Sequence, residues 1–419
     1  MATIYDYSGN AVVVSGNNQF EPSTNDIPLV FIDGNLPQAK SEGNVGVVVS
    51  YSSKKQTFKC YATLKVQGDS SATYPKKNFT IKLFDDSAYK SKRKITFRQW
   101  DERNKFVLKA NWMDHSHARN VVNARLWTQI MKSRPDFLNL PETLRQSNLA
   151  VDGFPVRVYN NGVYQGLYTW NLPKDGMYNV DDGIDENCIL NSEKNNDQSC
   201  AFNGTSITNW SDELHDTMPV VISIGWGAVL SFVSTSSDSN YITGIDNYID
   251  LQSIIDFDIF ARLCCMVDNL CKNQIFFTYN GSKWYEGAYD MDGTWGLPPI
   301  PSKGWFPYNT VFQSGYVAAT DFNIENKLYS KTERLFLSRF KERYHELRNG
   351  ILSEDNIIYQ FESFINPISD DLYAKDYSET TGGGAFVNIP FKDTNNIQQI
   401  KTFVPQRLSY MDSVIQDMN

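Results

Sequence analysis

Asp268 and Asn273 stand five positions apart in Asp-Asn-Leu-Cys-Lys-Asn, and Asp290 and Asp292 flank a methionine in Tyr-Asp-Met-Asp-Gly. Carboxylates and a primary amide are hard oxygen ligands, suited to Mg2+ or Mn2+. A nucleoside triphosphate carries too much negative charge to be approached by a nucleophile unless hard cations bridge its phosphates. The set therefore suits phosphoryl transfer from ATP, with Asn273, Asp290 and Asp292 as metal ligands. Asp268 is then the group that accepts the proton of an acceptor hydroxyl or orients that hydroxyl. Taken alone, the same residues also fit a plainer account: Asp290 and Asp292 end a strand, and Asp268 is a solvated turn residue.

A second group of residues suits an anionic ligand. The stretch Gly68-Asp-Ser-Ser-Ala-Thr-Tyr-Pro-Lys-Lys77 offers backbone N–H groups beginning at Gly68, the hydroxyls of Ser70 and Ser71, and the charge of Lys76 or Lys77. It is not a Walker motif, and a surface hairpin loop has the same composition. Lys82 and Lys109 fall on predicted strands, where a lysine among apolar neighbours needs an anionic partner or must extend its ammonium to solvent. His115 and His117, two residues apart, read as a helix-start feature rather than a zinc site. Cys264, Cys265 and Cys271 read as buried thiols rather than a disulfide framework.

The elements that must position these residues follow from periodicity. Residues 27–32, 45–50, 58–66, 78–84 and 105–110 alternate or run apolar with β-branched residues and read as strands. Residues 155–159 and 164–170 form a further strand pair around Asn160-Asn-Gly, a hairpin turn. Between them, 118–131 carries Val121, Val122, Leu126 and Ile130 at helical spacing, with Ser116 placed to cap it. Residues 171–250, rich in Asp, Asn and Ser, read as irregular. From Leu251 the pattern is helical to Met266, then two short strands at 274–279 and 284–289. Helices at 328–347, 357–365 and 397–418 follow, interrupted by a loop at Gly382-Gly-Gly.

Composition bounds the rest. The 419 residues are 41% hydrophobic, 14% aromatic and 21% charged, enough for a globular body larger than one core usually serves. A net charge of −9 argues against an extended nucleic-acid-binding surface. No stretch approaches the ~18 apolar residues of a membrane span. The expected organisation is an N-terminal extension (1–25), a β-rich nucleotide-binding lobe (26–175), an irregular connector (176–250) and a helical catalytic lobe (251–419).

A β-rich lobe followed by a helical lobe, with an Asp–Asn element before a strand pair and an acidic element after it, resembles the protein-kinase plan. The blocks VQGDSSATYPKKNFTIKL (66–83), FVLKANWMDHSHARN (106–120), FPVRVYNNGVYQGLY (154–168), the Asp268-to-Asn273 element and KWYEGAYDMDGTWG (283–296) occur in the order and approximate spacing of the CotH (spore coat protein H) kinase family. The resemblance covers all but about the first 25 residues and parts of 175–250. It implies an α+β, two-lobed, protein-kinase-like fold that uses ATP and a divalent metal to phosphorylate Ser or Thr residues of a protein, or of itself. It implies Asp268 as the catalytic aspartate, Asn273, Asp290 and Asp292 as metal ligands, and the 68–82 region over the nucleotide phosphates. Arg119 and Asn120 match an Arg-Asn pair that buttresses this site. The chain departs from the family at Gln67, where members often carry Arg, and at Thr169-Trp-Asn-Leu-Pro, where an acidic residue often stands.

The opening Ile4-Tyr-Asp-Tyr-Ser-Gly-Asn resembles the start of phage tail-associated proteins. That points to a second expectation, a structural or attachment module of a tail or baseplate built on a CotH-type fold. Its partners would be virion tail or baseplate proteins, and its place a virion or an extracellular surface.

Overall fold

Strands that alternate apolar and polar residues bury one face by curling on themselves, and the N-terminal strands do so completely. They are β1 (Leu29–Asp33), β2 (Val45–Ser52), β3 (Thr57–Gln67), β4 (Asn78–Phe84), β5 (Lys105–Lys109), β6 (Gly153–Asn160) and β7 (Val163–Asn171). They form a closed barrel in the order β1-β2-β3-β4-β5-β7-β6. Neighbours pair antiparallel except at the closure, where β1 runs parallel to β6 and Val30 lies opposite Val158. The register puts Leu64, Ile81 and Phe106 in one row, and Leu108, Trp170 and Phe154 in another. All six side chains are buried, so the barrel is filled by its own residues. Truncating Trp170 to alanine would cost about 3–5 kcal/mol. The β6–β7 hairpin turns on Asn161 and Gly162, both at positive φ (47° and 81°). A two-residue turn that matches the strand twist requires this conformation, and Asn-Gly supplies it at low cost.

The computed structural model describes residues 4–5, 11–12, 27–195, 197–298, 304–313, 316–317, 324–380 and 397–418. The Gly382-Gly-Gly loop and most of the N-terminal extension lie outside the described residues. The chain divides into two compact units, each discontinuous. One comprises Met1–Ala118, Asp152–Pro173 and Glu362–Asn396; the other comprises Arg119–Val151, Lys174–Phe361 and Ile397–Asn419.

The second unit is mainly helical. Its helices are α1 (Arg119–Lys132), α2 (Val220–Thr235), α3 (Asp238–Tyr248), α4 (Leu251–Cys264), α5 (Lys327–Leu335), α6 (Leu337–Arg348) and most of α7 (Glu354–Ile365). After α8 (Asp370–Thr380), which belongs to the barrel unit, α9 (Gln398–Asp417) completes this unit. A small antiparallel sheet holds β8 (Cys188–Ser192), β9 (Trp210–Asp212), β10 (Ile275–Thr278) and β11 (Trp284–Gly287), in the order β9-β8-β10-β11. Every residue of α4 is buried, and its N-terminus is capped by the Asp250 carboxylate, which accepts from Ser253 N at 2.7 Å. Its two acidic residues are paired, Asp256 with Arg343 and Asp258 with Arg262, each at 2.7 Å. Among the described residues no helix is long and apolar enough to cross a membrane.

The stretch expected to be irregular is not. Residues 176–250 carry α2, α3, β8 and β9. In α2, Val-Val-Ile-Ser-Ile-Gly-Trp-Gly-Ala-Val-Leu-Ser-Phe is apolar on all sides and contains two glycines, so it shows no helical periodicity.

In the barrel unit α8 is fixed by one buried ion pair. Asp376 accepts from Lys76 Nζ at 2.8 Å, from Leu167 N at 2.7 Å and from His117 Nε2 at 3.0 Å. Tyr373 donates to Ser116 O at 3.0 Å, one turn of α8 away. Burial opposes ionisation of Asp376, but the Lys76 ammonium and His117 outweigh it and hold the carboxyl well below its usual range.

Candidate active site

The residues that could carry chemistry in the helical unit hang from the C-terminal end of α4. That helix stops because Cys265 turns left-handed (φ 61°), with its N–H on the carbonyls of Ala261 and Arg262. The chain then runs through Asp268 to Asn273, also left-handed (φ 58°), and enters β10. Asn273 N donates to Ser192 O at 3.0 Å, which pins the end of this segment to β8. Its side-chain amide donates to Asp268 Oδ2 at 3.1 Å, so the five-residue spacing closes into a direct contact. Asn195 donates to the other carboxylate oxygen, Oδ1, at 3.1 Å.

Asp268 thus sits half-buried between two amides. Burial pushes its carboxyl up to about 6, and the nearby Asp290 carboxylate pushes the same way, against the pull of Asn195, Lys272 and Asn273. A carboxylate poised near neutral pH suits proton transfer from a hydroxyl better than one at its ordinary value.

The acidic element follows β11. Asp290 adopts a left-handed backbone (φ 52°), as does Trp295 (φ 53°). Asp and Asn tolerate this conformation better than other non-glycine residues, and its recurrence along one short stretch is typical of functional sites. The turn is held from three sides. Asn120 on α1 accepts from Met291 N at 2.7 Å. Asn123 donates to Met291 O at 3.0 Å and to Thr294 Oγ1 at 2.8 Å, and accepts from Trp295 Nε1 at 2.9 Å. Asn269 donates to Tyr289 O at 2.6 Å, which ties the acidic element to the Asp268 segment. Arg119, fully buried, donates to Thr294 O at 3.0 Å and to Gln399 Oε1 at 2.7 Å. Its guanidinium holds the acidic element through the Thr294 carbonyl, a buttressing place like the one the resemblance implies.

Among the described residues no group of three or more His, Cys, Asp or Glu is arranged to hold a metal ion. The expected donors are two carboxylates and an amide. That is the kind of set that binds Mg2+ through one or two carboxylates and completes the shell with substrate phosphates and water, so the residues present fit a shared rather than an all-protein site.

The anion-binding residues expected from sequence belong to the barrel unit. Gly68 has φ 106°, and a Cβ there would collide with the Ser71 hydroxyl, so the 68–77 loop requires glycine at this point. Ser70 opens a short 3-10 turn (Ser70–Thr73), and its side chain lies outside the described residues. Ser71 Oγ accepts from Asn78 Nδ2 at 3.4 Å. Lys77 folds back to its own loop, donating to Ala72 O at 2.9 Å. Lys76 is the clearest departure: its ammonium is buried against Asp376, the Leu167 carbonyl and the Tyr168 ring, 4.7 Å away. A buried lysine needs such partners, and these occupy it. Lys82 and Lys109 are half-buried on the non-core face of β4 and β5, where Lys82 lies directly opposite Lys105.

Sequence reasoning missed Asn195, Asn123 and Asn269. Asn123 stands four positions after Arg119 and three after Asn120, on the same face of α1, and that spacing was the available signal. Asn195 lies in the stretch taken for a connector and gave none.

The second unit thus joins the Asp268–Asn273 segment, through Asn269 and Tyr289, to the strand end from which the Asp290 element leaves. A family model described as CotH kinase protein matches residues 64–411, most of the chain. The chain belongs to the CotH kinase family. No curated protein is similar enough to it to register as a match.

Proposed function

We propose that the chain is a protein-kinase-like enzyme that transfers the γ-phosphoryl group of ATP to Ser or Thr hydroxyls of a protein, with Mg2+ or Mn2+ as cofactor. The observation that carries this is Asp268, held on both oxygens by amides, raised toward neutral pH and adjacent in charge to Asp290. Asp268 takes or orients the acceptor proton. Asn273, Asp290 and Asp292 are the residues that would hold the divalent ion, which neutralises charge on the phosphates when bound. The two-lobed kinase-like arrangement is part of the proposal. In it the barrel unit offers Gly68, Ser71, Lys77, Lys82 and Lys109 to the nucleotide, and Lys76 serves the barrel itself. The spore-coat association in the family's name supports an extracellular or particle-surface location.

The test is incubation of the purified chain with labelled ATP and Mn2+ or Mg2+, alone and with a Ser/Thr-rich protein. Labelling that disappears in Asp268→Asn and on chelation supports the reading. A folded protein that neither labels nor shows a thermal shift with ATP and Mn2+ returns the chain to the alternative, a scaffold or attachment module of a phage tail.

A further inference from the structure

Glu286 stands on β11 with no accessible surface, and its Oε2 has no hydrogen-bonding partner among the described residues. Its Oε1 shares a hydrogen bond with the Tyr329 hydroxyl on α5. The Arg262 guanidinium on α4 is occupied by Asp258 at 2.7 and 2.9 Å and by Glu333 at 2.5 Å. An isolated carboxylate in such surroundings is far costlier than a carboxylic acid. Burial, reinforced by Asp258, accordingly pushes Glu286 well above the usual range despite the opposing pull of Tyr329.

The proton has somewhere to go. Tyr329 OH also lies 3.4 Å from Gln274 Oε1, an atom that only accepts. A tyrosine has one hydroxyl proton, so both contacts are satisfied together when Glu286 donates to the Tyr329 oxygen and Tyr329 donates to Gln274. From Gln274 the chain continues to the proposed catalytic segment. Its Nε2 donates to Cys271 O at 3.0 Å and to Cys200 O at 2.8 Å. Asn326 Nδ2 donates to Gln274 Oε1 at 3.0 Å and to Leu270 O at 2.7 Å. Two successive carbonyls between Asp268 and Asn273 are therefore held by one buried amide pair, which the Tyr329 hydroxyl joins to Glu286.

We propose that Glu286, as a neutral acid, is a positioning residue for the Asp268–Asn273 segment, acting through Tyr329 and Gln274. Its bearing on rate rests on the phosphoryl-transfer reading; its effect on the segment does not.

The test compares wild type, Glu286→Gln and Tyr329→Phe in the full chain by amide hydrogen exchange at Asn273 and Gln274, whose N–H groups bond to Ser192. The glutamine amide can donate to the Tyr329 oxygen as the acid does. Glu286→Gln is therefore expected to keep exchange within about twofold, and Tyr329→Phe to speed it about tenfold. In the labelling assay Tyr329→Phe should lower kcat with KM for ATP unchanged, while Glu286→Gln keeps both. Glu286→Gln that fails to fold or loosens the segment as much as Tyr329→Phe would overturn the proposal, as would unchanged exchange in Tyr329→Phe. If wild type does not label at all, the kinase reading fails separately and exchange still decides this one.

Discussion

Asp376→Asn tests the anchoring of α8 directly. The carboxylate has two jobs: Oδ1 accepts from Lys76 and Leu167 N, and Oδ2 accepts from His117. An asparagine has one acceptor oxygen, so it cannot accept from Lys76 and Leu167 N on one side and from His117 on the other. The change also strands the Lys76 ammonium, whose side chain is 5% exposed, without its counter-charge. Removing one member of a buried pair costs about 3–5 kcal/mol. For a unit of this size that lowers the melting temperature of the barrel transition by about 6–20 °C. Adding Lys76→Met should recover about half, because the stranded charge leaves with it. The sign of the pH dependence follows from the depressed folded value of Asp376. Its contribution is complete above the unfolded value near 4 and is lost as pH falls through the folded value, so wild type and variant converge in strong acid. Thermal and guanidinium unfolding followed by circular dichroism measures each quantity. A cost below about 1 kcal/mol, or a double variant no more stable than the single one, would refute the reasoning.

Asp268→Asn should trade stability against labelling. A carboxyl raised to about 6 favours folding when protonated and opposes it as pH rises from about 4 through 6. At pH 7.5 the amide should therefore raise stability by about 1–2 kcal/mol, net of one weakened hydrogen bond, while label incorporation is lost. A destabilised variant contradicts that accounting. In wild type the acid limb of kcat/KM should lie near pH 6, and a limb near 4 would remove Asp268 as the base. All six cysteines are buried thiols, so maleimide should modify none without denaturant, and rapid native modification would place one at the surface.

Much of the barrel was legible because its strands alternate and its hairpin carries Asn160-Asn-Gly. The turn residues and the inward apolar set are local properties, and the structure follows them to within two residues at β3, β4, β6 and β7. Closure was not legible, because the parallel pairing of β1 with β6 joins residues more than a hundred positions apart. The same limit governs the site. The spacing of Asp268 and Asn273 singled both out, but Asn195 reaches Asp268 across 73 positions from a stretch with no periodic signal. Lys76 or Lys77 read as a phosphate contact because both close a loop of small and hydroxylated residues. The partner of Lys76 lies on α8, and a local pattern cannot report a counter-ion supplied from so far along the chain.

That distance governs how the protein is made. Lys76 and Asp376 are 300 positions apart, and the barrel unit draws its last helix from the C-terminal part of the chain. At about 5–20 residues per second, a ribosome that has made Lys76 needs roughly 15–60 s more to make Asp376. From the moment β7 is made until α8 follows, the nascent barrel carries an uncompensated cation beside Tyr168 and lacks the helix that packs on β7. The barrel unit thus stays incomplete until α8 has followed its strands, and a nascent chain arrested between β7 and α8 should remain protease-sensitive in strands it has already completed.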